Sequence, residues 1–294
     1  MELSILQWNI WLLKILGFDY TRNLPLRLEK IYKKIEELNT DIISFEEVWG
    51  DQDKRVLISA LEKTYPYHGY QPSPWYSMGD GLLFFSKFPI LSKTNSTPFR
   101  PPTRLQEWLT HKRVVKWEVE VPSVGRVDFF QTHMGSTLFH PEKMHHHAGT
   151  KTRLLQQIQT LSSFIHEKYS SKYSFLIGDL NFHYQAHEPG TLSFRPEFSP
   201  EYQLLNQGLE KLNIGLIDTF LEFHGKEPHH TALATYSQSN PLVSKGDYSN
   251  YPDETLDYIF YPKKSGVQVL DARVIDDHDL SDHYGLLGRF RFPV

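Results

Sequence analysis

Phe175-Leu-Ile-Gly-Asp-Leu-Asn181 sets three consecutive apolar residues before a glycine, then an acid and an amide spaced two apart. The apolar run predicts a buried strand that stops at Gly178. An extended backbone beyond it aims the Asp179 and Asn181 side chains the same way. A carboxylate and an amide oxygen converging at a sheet edge suit a hard divalent cation or a polarised water. A second segment, Leu280-Ser-Asp-His283, places an acid beside a histidine just before the closing apolar run Tyr284-Gly-Leu-Leu287. Either segment alone says little. Together they direct attention to the ends of the other strands.

Working outward, Leu3 to Leu13 reads as a strand interrupted by Asn9. Pro25 opens a segment in which Leu24, Leu28, Ile31, Ile35 and Leu38 recur at helical spacing, ending near Asn39. Ile42-Ile-Ser-Phe45 is a second strand, followed by Glu46-Glu-Val-Trp49, and Asp51 is the expected cap of a helix running to about Lys63. Gly81 to Phe85 and Ile90-Leu91 read as strand pieces. Val115, Trp117, Val119 and Val121 alternate with polar residues, and Val127 to Thr132 would pair with them across Gly125. Leu154, Ile158, Leu161 and Ile165 form one helical stripe. A helix is expected near 201–212, and strands near 255–261, 267–275 and 284–292. Helices alternate with strands, but hairpins break a pure βαβ pattern. The expected fold is an α/β two-sheet β-sandwich with mixed sheets, flanked by helices.

With 19 Phe, 16 Tyr and 6 Trp, the 294 residues can build a sizeable core, and no linker or repeat divides them, so residues 1–294 are expected to form a single domain. The formal charge of -4 gives no global attraction to nucleic acid, which leaves only a local basic groove open. With no cysteine, disulfides, thiolate metal sites and cysteine nucleophiles are excluded. Met1-Glu-Leu-Ser-Ile-Leu-Gln-Trp8 lacks the basic and long apolar regions of a signal peptide and reads as a strand. No run approaches about 18 apolar residues, so no membrane span is expected. A soluble protein is expected, in the cytoplasm or exported without a recognisable signal, and peripheral at membranes if its substrate lies there.

Polar residues recur where the apolar strands stop or start: Asn9, Glu47, His133, Asp179 with Asn181, Asp257, and Asp282 with His283. Any one of them has an ordinary explanation as a loop or helix cap or a satisfied structural histidine. The series as a whole matches the tendency of site residues to gather at the loop ends of a rigid sheet.

Gln7-Trp-Asn-Ile-Trp11, Glu46-Glu-Val-Trp49, Thr132-His-Met134, Gly178-Asp-Leu-Asn181, Leu256-Asp-Tyr-Ile259 and Leu280-Ser-Asp-His283 occur in the order of the endonuclease/exonuclease/phosphatase superfamily, which the chain resembles over about residues 3–292. Asn9-Ile-Trp11, Glu47-Val-Trp49, Thr64-Tyr-Pro-Tyr67, Gly79-Asp-Gly81, Phe85-Ser-Lys-Phe-Pro-Ile90, and Arg153 with Gln156 make it look most like the Mg2+-dependent neutral sphingomyelinases. The resemblance implies a phosphodiesterase that releases phosphocholine and a neutral lipid from sphingomyelin or a related choline phospholipid at a membrane surface. It implies Mg2+, with Mn2+ able to substitute, held by Glu47 with Asn9 nearby and Asp282 as a further acid. It implies that Asp179 orients or deprotonates the attacking water and that Asn181 holds the nucleophile or a phosphoryl oxygen. His283, paired with Asp257, and His133 would meet the phosphate. Which group moves which proton stays open.

Other features keep two readings. Lys112, in His111-Lys-Arg-Val-Val115, is either a phosphate contact or part of a solvated basic loop, and Asp80 either partners His133 or caps a turn. Pro74-Trp-Tyr-Ser-Met78 and Phe99 to Trp108 mix aromatic and basic residues; Trp75, Tyr76 and Trp108 are the candidates for a lipid-facing rim, against ordinary packing. His145-His-His147 reads as a solvated loop, because adjacent histidines do not converge like an i, i+4 pair. The inositol-phosphatase branch usually carries Trp-Cys-Asp-Arg where this chain has Leu256-Asp-Tyr-Ile259. A nuclease or phosphoinositide phosphatase on the same fold, and an inactive scaffold, are the alternatives. The chain stops after its last expected strand, so the membrane-embedded tail of some animal relatives is not expected.

Overall fold

The computed structural model describes residues 1–15, 18–19, 21, 23–73, 77–91, 95–99, 110–136, 148–188, 193–211, 213–225, 234–244 and 252–293, with backbone only at 14, 15, 18, 19, 148–151 and 187. Trp75, Tyr76, Trp108 and His145–His147 lie outside them. Twelve strands form two six-stranded sheets. In chain order they are β1 (Glu2–Leu12), β2 (Ile42–Val48), β3 (Tyr67–Gly69), β4 (Leu83–Ser86), β5 (Asn95–Pro98), β6 (Arg113–Val121), β7 (Gly125–His133), β8 (Ser174–Asp179), β9 (Leu216–Asp218), β10 (Asp257–Pro262), β11 (Gln268–Ile275) and β12 (Gly285–Arg291). The first sheet runs β11-β12-β1-β2-β4-β3 and the second β9-β10-β8-β7-β6-β5. This is the mixed, helix-flanked sandwich that the alternation of elements predicts.

Each sheet has one parallel pair at its centre, β1 with β2 and β7 with β8; the other pairings are antiparallel. A parallel pair needs a crossover, here supplied by α1 (Leu24–Leu38) and α3 (Ala148–Lys168). In open α/β sheets, ligands gather outside the carboxyl ends of such strands. Asn9, Glu47, His133 and Asp179 all lie at those ends. Asp257 opens β10, and His283 precedes β12 by two residues, so the antiparallel neighbours bring their amino ends to the same place.

The inter-sheet layer is graded along the strands. On β1, Leu3 and Ile5 belong to the core shared with the second sheet, whereas Leu6, Trp8 and Ile10 pack toward α1 and α2 (Asp51–Leu61). Alternation then carries Gln7 and Asn9 into the inter-sheet layer after two apolar residues. The same happens on β7, from Val127 and Phe129 to Gln131 and His133, and on β8, from Phe175 and Ile177 to Asp179. Stacked Phe129 and Phe175, with Phe290 edge-on to Phe175, form its apolar end.

Two local expectations need correction. The helix at 51–61 is capped by Gly50, and Asp51 is its first residue; the Asp51 carboxylate instead accepts from Ser73 Oγ. The helix closes with Glu62, whose N–H donates to the Ile58 carbonyl, near the expected end at Lys63. Asp179 and Asn181 are not aimed together by extended backbone. The strand ends at Asp179, whose Oδ1 accepts from the Asn181 N–H, and Asn181 has φ 54. Short polar side chains stabilise that turn and tolerate the left-handed region.

Gly178 sits where β8 runs closest to β7. Its φ is +143, and a Cβ there would lie 1.8 Å from the Thr132 carbonyl oxygen, a backbone atom with little freedom to move. Gly178→Ala should therefore destabilise the fold by about 3 kcal/mol or more in urea unfolding, the combined scale of strain and overpacking. Gly215→Ala, whose Cβ would meet ordinary van der Waals neighbours, should stay within about 0.5 kcal/mol.

Candidate active site

Three strand ends of the second sheet align His133, Asp179 and Asp257 in one row: Asp179 is registered with His133 on one side and Asp257 on the other. Two carboxylates directly opposite each other repel. Both are buried, so the surroundings must answer that charge. His283 Nδ1 lies 2.8 Å from Asp257 Oδ2, and Gln7 Nε2 donates to Asp257 Oδ1 at 2.7 Å. Asn9 Nδ2 donates to Asp179 Oδ2 at 3.0 Å, from the other sheet. Lys112 Nζ lies 2.8 Å from His133 Nε2 and donates to the Met134 carbonyl at 2.7 Å. Lys112 is thus tied to His133 and to the chain just beyond it rather than standing free in a solvated loop. Asp80 caps a turn by accepting from the Leu82 N–H and pairs with Lys54 and Arg113.

Protonation follows from this geometry. Burial opposes the His283 imidazolium, but the charge and hydrogen bond of Asp257, with the charges of Asp179 and Asp282, outweigh it and hold His283 well above its ordinary range. Burial, then Lys112 and His283, push His133 well below, so it stays neutral and Nε2 accepts from the ammonium. That places the proton on Nδ1, which is buried with no hydrogen-bond partner. Burial and Asp257 raise Asp179 to about 7, against the pull of His283, Lys112 and Asn9. Burial likewise lifts Glu46 well above a normal carboxyl despite hydrogen bonds from Ser44 and Gln7.

Two further carboxylates, Glu47 and Asp282, stand near this row. Glu47 Oε1 is 3.9 Å from His133 Nε2. Asp282 is raised to about 6 by burial and by the charge of Glu47, partly offset by His283 and Arg27. Glu47 and Asp282 are mutually repelling carboxylates, a charge that a divalent cation would relieve. Asn9 Oδ1 also accepts from the Trp11 N–H at 3.2 Å. Among the described residues, a trio, Asp179, Asp257 and His283, brings ligand atoms within 4.8 Å of one another. Its atoms are already engaged with one another, Gln7, Asn9 and Asn181.

The loops carrying these groups are strained and clamped. Trp11, Glu47 and Asn181, at the ends of β1, β2 and β8, have φ of 48, 61 and 54. Left-handed backbone is uncommon for such side chains and clusters at functional sites. Arg27, buried on α1, donates to the carbonyls of Ile10, Trp11, Thr21 and Leu280, and Ser281 Oγ donates to the Asn9 carbonyl. Asn9 is thereby tied to the loop that bears Asp282 and His283. Gln7, Glu46 and Arg27 were not among the residues expected at the site. Their signal was a polar residue on a buried face that begins apolar, after Leu3 and Ile5, after Ile42, and beside Leu24.

The chain belongs to the Endonuclease/Exonuclease/phosphatase family, whose sequence pattern matches residues 6–283. It is 30% identical over 137 residues to an inositol phosphosphingolipids phospholipase C of Schizosaccharomyces pombe, covering 45% of this chain and 31% of that protein. It is 25% identical over 282 residues to a putative neutral sphingomyelinase of Caenorhabditis elegans, covering 90% of this chain and 61% of that protein. The chain thus spans about a third to three-fifths of the length of these two relatives. Among solved structures it shares its fold with sphingomyelinase C from Streptomyces griseocarneus, at TM-score 0.70 and 17% identity over 98% of this chain and 99% of that one. It also matches a mutant beta toxin from Staphylococcus aureus with bound magnesium ions, at TM-score 0.69 and 19% identity over 98% and 99% of the two chains. Among the described residues, no helix is long and apolar enough to cross a membrane.

The raised Asp179 carboxyl has a consequence for stability. Its folded pKa lies above the unfolded value of 3.8, so the folded state holds the extra proton between about pH 4 and 7, and stability falls as pH rises through that window. Without metal, Asp179→Asn should match wild type in thermal unfolding near pH 4 and exceed it at pH 7.5, by on the order of 3 kcal/mol. A constant difference across the range would mean that Asp179 does not titrate there.

Proposed function

We propose that residues 1–294 form one catalytic domain, a Mg2+-dependent phosphodiesterase that hydrolyses sphingomyelin or a related choline phospholipid to phosphocholine and a neutral lipid. The observation that carries the reaction class is the buried Asp257–His283 pair set against Asp179, beside the Glu47, Asp282 and Asn9 oxygens. The lipid assignment is supported by the names of the relatives, and the choice of Mg2+ by the magnesium in the beta toxin structure.

A bound cation held by Glu47, Asp282 and Asn9 would neutralise a non-bridging phosphoryl oxygen and the charge growing there in the transition state. The rest is the work of the chain. Asp179, with a carboxyl that titrates near neutrality, holds the attacking water and takes its proton. Asn181, whose Nδ2 donates to the Met134 carbonyl, helps to place that water or a phosphoryl oxygen. His283 has Nδ1 committed to Asp257, so Nε2 faces the phosphate and gives its proton to the departing lipid oxygen. Neutral His133 and the Lys112 ammonium are the remaining phosphate contacts. Trp75 and Trp108 are assigned to the lipid-facing rim on sequence alone.

Chelator should abolish turnover, Mg2+ or Mn2+ should restore it, and Ca2+ should support it poorly because it favours larger, looser coordination. Glu47→Gln should remain folded and inactive. His283→Ala and Asp179→Asn should each lower kcat by about 10²–10⁴. Asp257→Asn should lose less, since it removes a partner and not the reacting group, and Lys112→Ala less still. A folded His283→Ala protein within about tenfold of wild type would displace the proposed centre.

Purified protein assayed on sphingomyelin, phosphatidylcholine, phosphoinositides, DNA and RNA should cleave sphingomyelin fastest; faster cleavage of DNA would retain the phosphodiesterase and remove the lipid assignment. Replacing Trp75 and Trp108 together with Ala should weaken turnover on sphingomyelin vesicles more than on a short soluble phosphodiester. Equal losses on the two substrates would make these residues ordinary packing.

A further inference from the structure

Gln7 is fully buried in the inter-sheet layer, two residues before Asn9 on β1. Its carboxamide spans the sandwich. Nε2 donates to Asp257 Oδ1 on β10 of the opposite sheet at 2.7 Å and to Glu46 Oε2 on β2 of its own sheet at 2.8 Å. Both amide hydrogens are therefore given to carboxyl oxygens. Turning the amide over would aim Oε1 at Asp257 Oδ1, and acceptor against acceptor is repulsive. In the observed orientation Oε1 is buried with no hydrogen-bond partner. An unpaired buried acceptor is unfavourable by about 1–3 kcal/mol. The fold accepts that and keeps Nε2 on Asp257.

We propose that Gln7 is a positioning residue for the reaction: it fixes the plane of the Asp257 carboxylate, and through it the orientation of His283. The terminal torsion of an aspartate is broad, so one bond to His283 leaves the carboxylate free to rock. With Oδ2 on His283 Nδ1 and Oδ1 on Gln7 Nε2, the plane is set by both oxygens. The Asp257 N–H, which donates to Thr235 Oγ1 at 3.3 Å, anchors the backbone below it. Gln7 thus extends the His283–Asp257 pair across the sandwich to the sheet that bears Asn9 and Glu47. The inference rests on the acid-base role given to His283 above.

Gln131 is a built-in comparison. It is also buried between the sheets and also bridges them, with Nε2 donating to the Phe45 carbonyl at 3.0 Å and Oε1 accepting from Trp117 Nε1 at 3.0 Å. Its partners are backbone and core rather than catalytic groups. Gln7→Met and Gln131→Met remove the same chemistry from the same layer at nearly constant volume. The assay is kcat and KM on a short soluble phosphodiester with an alkoxide leaving group, whose departure needs a proton, in saturating Mg2+, with thermal unfolding and the proton NMR resonance of His283 Nδ1–H recorded alongside.

Gln7→Met should lower kcat about 10–100-fold, the usual scale for a partner one step behind a reacting or ligating group, with KM within about twofold and the Nδ1–H resonance shifted or exchange-broadened. Gln131→Met should lower the unfolding temperature but keep kcat within about twofold. Combining Gln7→Met with Asp257→Asn should add nothing to Asp257→Asn alone, because both changes break one path. The proposal is overturned if the two losses multiply, if Gln131→Met loses as much kcat as Gln7→Met, or if folded Gln7→Met retains full kcat with an unmoved resonance. Should Gln7→Met not fold, Gln7→Asn, whose amide is one methylene too short to reach both carboxyls, takes its place in the same comparison. His283→Ala separates the two levels. If it keeps activity, the acid-base role falls; if it is inactive while Gln7→Met is unimpaired, only the role of Gln7 falls.

Discussion

Negative charge is buried at one end of the sandwich, and most of the surrounding polar structure answers it. Asp179 and Asp257 face each other across two strands, with the Glu46 carboxyl on the opposite sheet, in a layer whose other end is stacked phenylalanine. Isolated carboxylates in such surroundings are expensive unless protonated, paired or hydrogen-bonded. Each of these outcomes occurs. Glu46 is pushed toward its neutral acid, Asp257 is paired with a charged His283, and Asp179 is left titrating near neutrality between Asn9 and the Lys112–His133 contact.

That arrangement separates two histidines of the same intrinsic chemistry. His283 is held cationic by carboxylates, while His133 is held neutral by burial and an ammonium. Titratable groups whose environments drive them apart are what acid-base chemistry near neutral pH requires. The electrostatics and the hydrogen bonds lead to the same division of labour, which is why a phosphodiesterase centre is preferred to a structural charge network.

The strained residues belong to this picture. Trp11, Glu47 and Asn181 adopt left-handed backbone where three central strands leave their sheets. Such conformations persist only where the surroundings impose them. Arg27 supplies part of that constraint by binding carbonyls from both the β1 end and the Leu280 loop, and Trp8 Nε1 donates to the His283 carbonyl. The rigid sheets set the level of the site, and a few buried donors fix the loops above it.

Much of this was legible in the sequence because it depends on local period and position. Apolar alternation located the long strands and helices, and the polar residues that stop those runs, Asn9, Glu47, His133, Asp179, Asp257 and His283, are the ones the fold brings together. The turn at Asn181 was misread because its conformation is set by a side-chain hydrogen bond rather than by strand alternation. The tertiary structure alone decided the pairing across the layer: Gln7 with Asp257, Asn9 with Asp179, Lys112 with His133. It also decided which carboxyls burial pushes toward their neutral forms. Period fixes which face of a strand a side chain takes, but the partner across a sandwich and the solvent left between them depend on the register and packing of residues up to 250 positions apart.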